Sequence, residues 1–184
     1  MRGRAATALV ATVLVELAAC GGGGGTAVPK NIVAAGKVSG SDAFVAVAKY
    51  GTGVDAYVCD GKTLGETFEG KSHGGRIDLR SDGGARLQAT VAHDTVTGTF
   101  TPANGTALAF TASLAKKPAG LYRAKVVANG QTTTAAWVLL PDGEQRGTQR
   151  MGIVVAPAPI LGTSNIVVIA GMTVTAMLKD ESNH

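Results

Sequence analysis

Residues 76–101 read RIDLRSDGGARLQATVAHDTVTGTFT, and this stretch decides the fold. Ile77 and Leu79 alternate with Arg76, Asp78 and Arg80, and Ala85, Leu87, Ala89 and Val91 alternate with Arg86, Gln88 and Thr90. Val96, Gly98 and Phe100 then oppose Thr95, Thr97, Thr99 and Thr101. A side-chain period of two sends one set into a core and the other into water, so three half-buried strands follow one another. Asp82-Gly83 separates the first two. Such a pair accepts the positive φ of a tight hairpin turn, whose twist matches the strands on either side.

The same punctuation continues outward at Gly51-Thr52-Gly53, Asp60-Gly61, Gly74-Gly75, Asn104-Gly105, Asn129-Gly130 and Asp142-Gly143. No helical apolar period persists through residues 43–184. The spacing predicts an all-β fold, an antiparallel meander of about nine or ten strands, as a barrel or sandwich with the closed barrel preferred. Asn165 to Leu178 is almost entirely apolar. It is shorter than the ~20 residues of a spanning helix. Its β-branched content predicts a strand buried on both faces or paired within the barrel. Ala156-Pro157-Ala158-Pro159 marks a loop before it.

The chain has 184 residues, 45% hydrophobic and 16% charged, with 26 glycines and a formal charge of +4. It is too apolar for a disordered chain and lacks the glycine period of collagen. The charge is far short of a dedicated nucleic-acid binder, and no nucleic-acid partner is expected.

The N-terminus reads as an export signal, with Arg2 and Arg4 ahead of an apolar run from Ala5 to Val15. It ends in Leu17-Ala18-Ala19-Cys20, which resembles the lipobox of bacterial lipoproteins. In that family the cysteine thiol receives a diacylglyceryl group and the leader is cut just before it. Glu16 departs from the pattern, as a carboxylate at the end of the apolar run. The resemblance implies a signal peptide over 1–19 and lipidation at Cys20. The partner is then the membrane, held through the lipid anchor, and the location is the extracytoplasmic face of the cell membrane. Gly21 to Gly25 follow as a flexible tether, glycine losing the most backbone freedom on ordering. The lipidated terminus and tether are expected over 20–42, with Ser39-Gly40-Ser41-Asp42 as their end, and a single β domain over 43–184.

Three further segments resemble an uncharacterised group of exported actinobacterial β proteins: Ala56-Tyr57-Val58-Cys59-Asp60-Gly61, Gly120-Leu121-Tyr122-Arg123 and Trp137-Val138-Leu139-Leu140-Pro141-Asp142-Gly143. They are turn and core patterns, and the resemblance implies no activity.

Catalytic equipment is sparse. With Cys20 taken by lipid, Cys59 is unpaired, and in a predicted strand it reads as a small buried hydrophobe. His73 and His93 fall at predicted turns, too far apart in sequence to suggest metal-ligand spacing, and His184 is terminal. No Gly-x-Ser-x-Gly elbow and no phosphate-cradling loop occurs, and the carboxylates are scattered singly. No metal, cofactor or catalytic residue is assigned.

The aromatics fall about one to a strand and read first as core fillers among many alanines. Tyr57, Tyr122 and Trp137, each inside a quoted motif, are the candidate ligand-binding residues. Arg76, Arg80, Arg86, Arg123, Lys125, Arg146 and Arg150 read as a solvated mixed surface, with a stripe meeting anionic headgroups or wall polymers as the alternative. The functional expectation is a non-enzymatic binding or structural module of the cell envelope, contacting a partner protein, a lipid or a cell-wall component. A carrier of small apolar ligands or lipids is the alternative, and requires a barrel cavity. An enzyme using Cys59 or a loop histidine is the third reading, and requires a cleft that brings two such groups together.

Overall fold

The computed structural model describes residues 28–180, and among these there is no helix. Residues 1–27, with the expected signal peptide, Cys20 and the five-glycine run, lie outside the described residues, as does His184.

Eight strands close an antiparallel barrel in chain order: β1 (Asn31–Val38), β2 (Phe44–Tyr50), β3 (Gly53–Cys59), β4 (Gly65–His73), β5 (Arg76–Arg80), β6 (Arg86–Ala92), β7 (Thr95–Thr101) and β8 (Leu108–Leu114). Closure comes from β1, which pairs with β2 on one side and with β8 on the other, Ala34 opposite Leu114 and Val38 opposite Phe110. The alternation read in residues 76–101 holds: Ile77, Leu79, Leu87, Ala89, Val91, Val96 and Phe100 are buried in one cluster. Phe68 and Phe100 meet edge to face inside it, with ring centroids 6.3 Å apart.

The domain boundary requires a correction. The segment expected to be tether contributes β1, and Ser39-Gly40-Ser41-Asp42 is the β1–β2 turn. Ser41 Oγ donates to the Val38 carbonyl at 3.1 Å there, and Gly40 takes a φ of 72°. The physical reason is edge pairing. Without β1 both β2 and β8 would present an open row of backbone donors and acceptors, and Ile32, Ala34 and Val38 supply the inward face that fills the gap. Buried Lys49 helps hold the incoming chain, donating to the carbonyls of Pro29 and Lys30 at 2.8 and 2.9 Å.

After the barrel the chain forms a second sheet. β9 (Gly120–Ala128), β10 (Gln131–Leu139), β11 (Gln145–Met151) and β12 (Val154–Pro157) form a meander. Then β13 (Ile166–Ile169) and β14 (Met172–Thr175) form a separate hairpin, and β15 (Met177–Leu178) returns to pair with β9. The described chain thus has fifteen strands where about nine or ten were expected. Much of the excess is at the C-terminus. The apolar run expected to be one strand is broken by Ala170 and Gly171, whose φ values of 48° and 76° make the β13–β14 turn.

One face of the second sheet packs on the outside of the barrel. Leu121, Ala136, Val138 and Leu140 share a buried cluster with Ala35, Phe44, Ala46, Tyr57 and Cys59. The opposite face, with Tyr122, Ala124, Val126, Ala135 and Trp137, is covered by Val167 and Ile169 of β13. β9 and β10 are buried on both sides only along part of their length. Leu121-Tyr122 and Ala135-Ala136-Trp137-Val138 are consecutive buried apolar residues, whereas Lys125 and Gln131, Thr132 and Thr134 toward the β9–β10 turn are exposed.

Candidate functional site

The barrel-facing side of the second sheet is apolar at one end and cationic at the other. Along β9 the residues on that side are Leu121, then Arg123, then Lys125. Register places Arg123, Ala136 and Thr148 in one row across β9, β10 and β11, and Lys125, Thr134 and Arg150 in the next. Where the apolar rows meet the barrel the layers are in contact. Where the cationic rows begin they part, leaving an open cleft of about 600 Å³.

The cleft's barrel wall is the outer face of β3 and β4, with Tyr57, Gly65, Thr67 and Glu69. The sheet wall brings Arg123, Lys125, Thr134, Ala136, Thr148 and Arg150, and Met177 and Lys179 close one side. Two contacts span the floor. Tyr57 Oη and Thr148 Oγ1 are 2.5 Å apart and buried, and Arg150 Nη2 donates to the Gly65 carbonyl at 2.9 Å. Gly65 has no room for a side chain, since an added Cβ would run into the Thr148 hydroxyl.

Charge is paired unevenly across the cleft. Asp55 and Glu69 are cross-strand neighbours on the barrel wall. Arg123 Nη1 donates to Glu69 Oε1 at 2.8 Å, and Lys179 Nζ lies 3.0 Å from Asp55 Oδ2. Arg123 Nη2 reaches only to 3.9 Å from Asp55 Oδ1. Its Nε and Nη2 are both buried with no hydrogen-bond partner among the described residues. Guanidinium donors left without a hydrogen bond in a buried site are costly, and the nearby Asp55 carboxylate offsets part of that cost through its charge.

The sequence-stretch candidates fare differently. Tyr57, Tyr122 and Trp137 are all buried rather than gathered on one binding face. Tyr57 reaches the cleft through its hydroxyl, and burial raises its pKa. Tyr122 is packed under β13 and donates to the Pro118 carbonyl at 2.7 Å. Trp137 also packs there, its Nε1 donating to the Pro159 carbonyl at 2.8 Å beside a separate depression that includes Arg146 and Lys62. Cys59 is sealed between the layers, and burial pushes its thiol up to about 12. It pairs with Gly65 at the start of β4, whereas exposed His73 ends that strand, so the two lie at opposite ends of the β3–β4 ladder. His93 is exposed in the β6–β7 turn with a φ of 52°. Among the described residues no group of three His, Cys, Asp or Glu side chains is placed to hold a metal ion.

Three basic residues of the expected mixed surface, Arg123, Lys125 and Arg150, are the ones the fold brings together. Arg86 instead pairs with Asp78 on the barrel at 2.6 Å, and Arg146 lies over the Phe44 ring at 4.7 Å. A signal was present in the sequence. Between Gly120 and Leu140, and again between Gln145 and Lys179, there is no Asp or Glu, while Arg123, Lys125, Arg146, Arg150 and Lys179 all fall there. Compared with protein-family models, curated proteins and solved structures, the chain matches none.

Proposed function

We propose that the protein is a non-enzymatic binding module of the cell envelope, tethered through lipid on Cys20. Its ligand site is the cleft between barrel and second sheet, and the ligand is an anionic amphiphile. The observation that carries this reading is the pairing of cations with alkyl surface in one open cleft. Arg123, Lys125 and Arg150 offer donors to a phosphate or carboxylate, and Ala136, Val174 and Met177 offer surface to a short apolar chain. Lys125 and Arg150, exposed on the cleft wall, are the groups that meet an arriving anion. A ligand carried inside the barrel has less in its favour, because Phe68, Phe100, Phe110, Leu87 and a set of valines occupy that interior.

The test is calorimetric titration of the full chain with dihexanoyl phosphatidylglycerol and, separately, with dihexanoyl phosphatidylcholine, both as monomers. Binding of the first at least tenfold tighter than the second is expected. Thr134→Trp, at an exposed position on the cleft wall, should abolish that binding without unfolding the protein. Equal affinity for both lipids, or binding untouched by Thr134→Trp, refutes the assignment.

A further inference from the structure

Large apolar side chains left in water are concentrated in the second layer. Val127, Met151, Ile153, Val154, Ile160, Ile166, Val168, Met172 and Met177 are all exposed, whereas β1–β8 contribute only Leu114. Four of them share one end of one sheet. The β9–β10 turn follows Ala128, which pairs with Gln131, and the β11–β12 turn follows Met151, which pairs with Thr133. Val127 points to the barrel-facing side and Met151 and Val154 to the opposite side. With Ile153 they put apolar side chains on both faces of two neighbouring hairpin tips, an apolar rim at that end of the sheet. Ile153, at 96% exposure, touches almost nothing.

Directly behind this rim lies the row of Lys125, Thr134 and Arg150, with both cations exposed. No carboxylate occurs in β9, β10, β11 or β12. An aliphatic tip followed one row later by cations, on strands that carry no acid, is complementary to the acyl boundary and the anionic headgroups of a bilayer. The geometry points to the paired β9–β10 and β11–β12 hairpin tips as a membrane-docking edge for an anionic phospholipid surface. Chain length is compatible. From Cys20 to Asn31 the extended chain reaches at most about 40 Å, so a domain anchored at Cys20 would stay within reach of the headgroups. The edge itself needs neither the anchor nor an occupied cleft, since the rim side chains belong to the tips and line no part of the cleft.

The test uses the full chain carrying Cys20→Ser, so that no lipid is attached, and vesicles of phosphatidylcholine with and without phosphatidylglycerol. Any contribution of the apolar leader is common to all variants. Sedimentation with anionic vesicles should exceed that with neutral ones at least tenfold and weaken with salt. Ile153→Asp combined with Val127→Asp should lower anionic-vesicle binding at least tenfold while leaving calorimetric binding of dihexanoyl phosphatidylglycerol unchanged. Thr67→Trp, at an exposed position on the barrel wall of the cleft and outside the second sheet, should do the reverse. In a second readout, Ile153→Trp should show a blue-shifted emission component with anionic vesicles that Trp137 alone does not give. The docking edge is overturned if neutral and anionic vesicles bind alike, if the paired aspartates have no effect, or if the tryptophan at 153 stays in water.

Discussion

Cys59 sits at the end of β3 in the cluster shared by Phe44, Tyr57 and Val138, with no exposed surface. Burial disfavours the thiolate and pushes the folded thiol up to about 12 from its ordinary 9.0. An acid raised in this way keeps a proton that the unfolded chain sheds first, so the unfolded state binds fewer protons at alkaline pH. Its contribution to stability is complete below about pH 9 and declines toward pH 12, by up to about 1.4 kcal/mol per pH unit. Urea unfolding at about pH 8 and about pH 10.5 should therefore show a marked loss, and Cys59→Ala should reduce it, leaving the smaller part that comes from buried Tyr57, whose pKa is raised as well. In the folded protein at neutral pH the thiol should label far more slowly than in denaturant. A second residue-scale expectation concerns Tyr57. Tyr57→Phe strands the buried Thr148 hydroxyl and should cost about 1–3 kcal/mol in urea unfolding, with Thr148→Val in the same chain recovering part of it.

Individual strands depend on two glycines that face the barrel interior. At Gly98 in β7 an added Cβ would collide with the Gln88 carbonyl and sit 2.7 Å from Ala89 Cα, and at Gly36 in β1 it would meet the Thr111 carbonyl. Tightly coiled barrel strands approach each other most closely at such positions. Gly98→Ala should thus lower stability by roughly 2–3 kcal/mol, the range of an overpacked core, whereas Gly162→Ala, with open space around it, should shift the urea midpoint little. Strands of this kind were legible in the sequence because one face is wet, so polar and apolar residues alternate. β1 was not, since Ala34, Ala35 and Gly36 carry little pattern beside a glycine-rich neighbour. The β13–β14 turn was hidden because it rests on Ala170-Gly171 rather than a pair with an Asn or Asp. The cleft escaped for a different reason. Its residues come from β3, β4, β9, β10 and β11, and only sheet register across the two layers shows that Arg123 meets Glu69. Motif position drew attention to Tyr122 and Trp137, which serve the core on the other side.

At the scale of the whole molecule, two layers share one interface, so their stabilities are coupled. Leu121 and Val138 from the sheet interdigitate with Phe44, Ala46 and Tyr57 from the barrel. Lys37 bridges to Glu144 at 2.6 Å, and Arg123 and Lys179 bind barrel carboxylates beside the cleft. Of these three pairs, Lys37 with Glu144 and Arg123 with Glu69 have an exposed partner and add little, since solvent screens them. The more buried pair of Lys179 with Asp55 sets a desolvation cost against its attraction. The apolar interface therefore carries the coupling. Leu121→Ala, at a fully buried position, should cost about 2–5 kcal/mol. If the layers unfold together, that loss appears in every probe. Trp137 is the only tryptophan and reports on the second sheet, whereas far-UV circular dichroism sums over both layers. In urea the two curves should coincide for the wild type and should shift together in Leu121→Ala. A variant whose tryptophan transition moves ahead while part of the dichroism stays behind would instead identify the barrel as the autonomous unit, with the second sheet as a docked accessory. That distinction bears on the cleft, because a sheet free to detach would open the Arg123 site to water and weaken any anion held there.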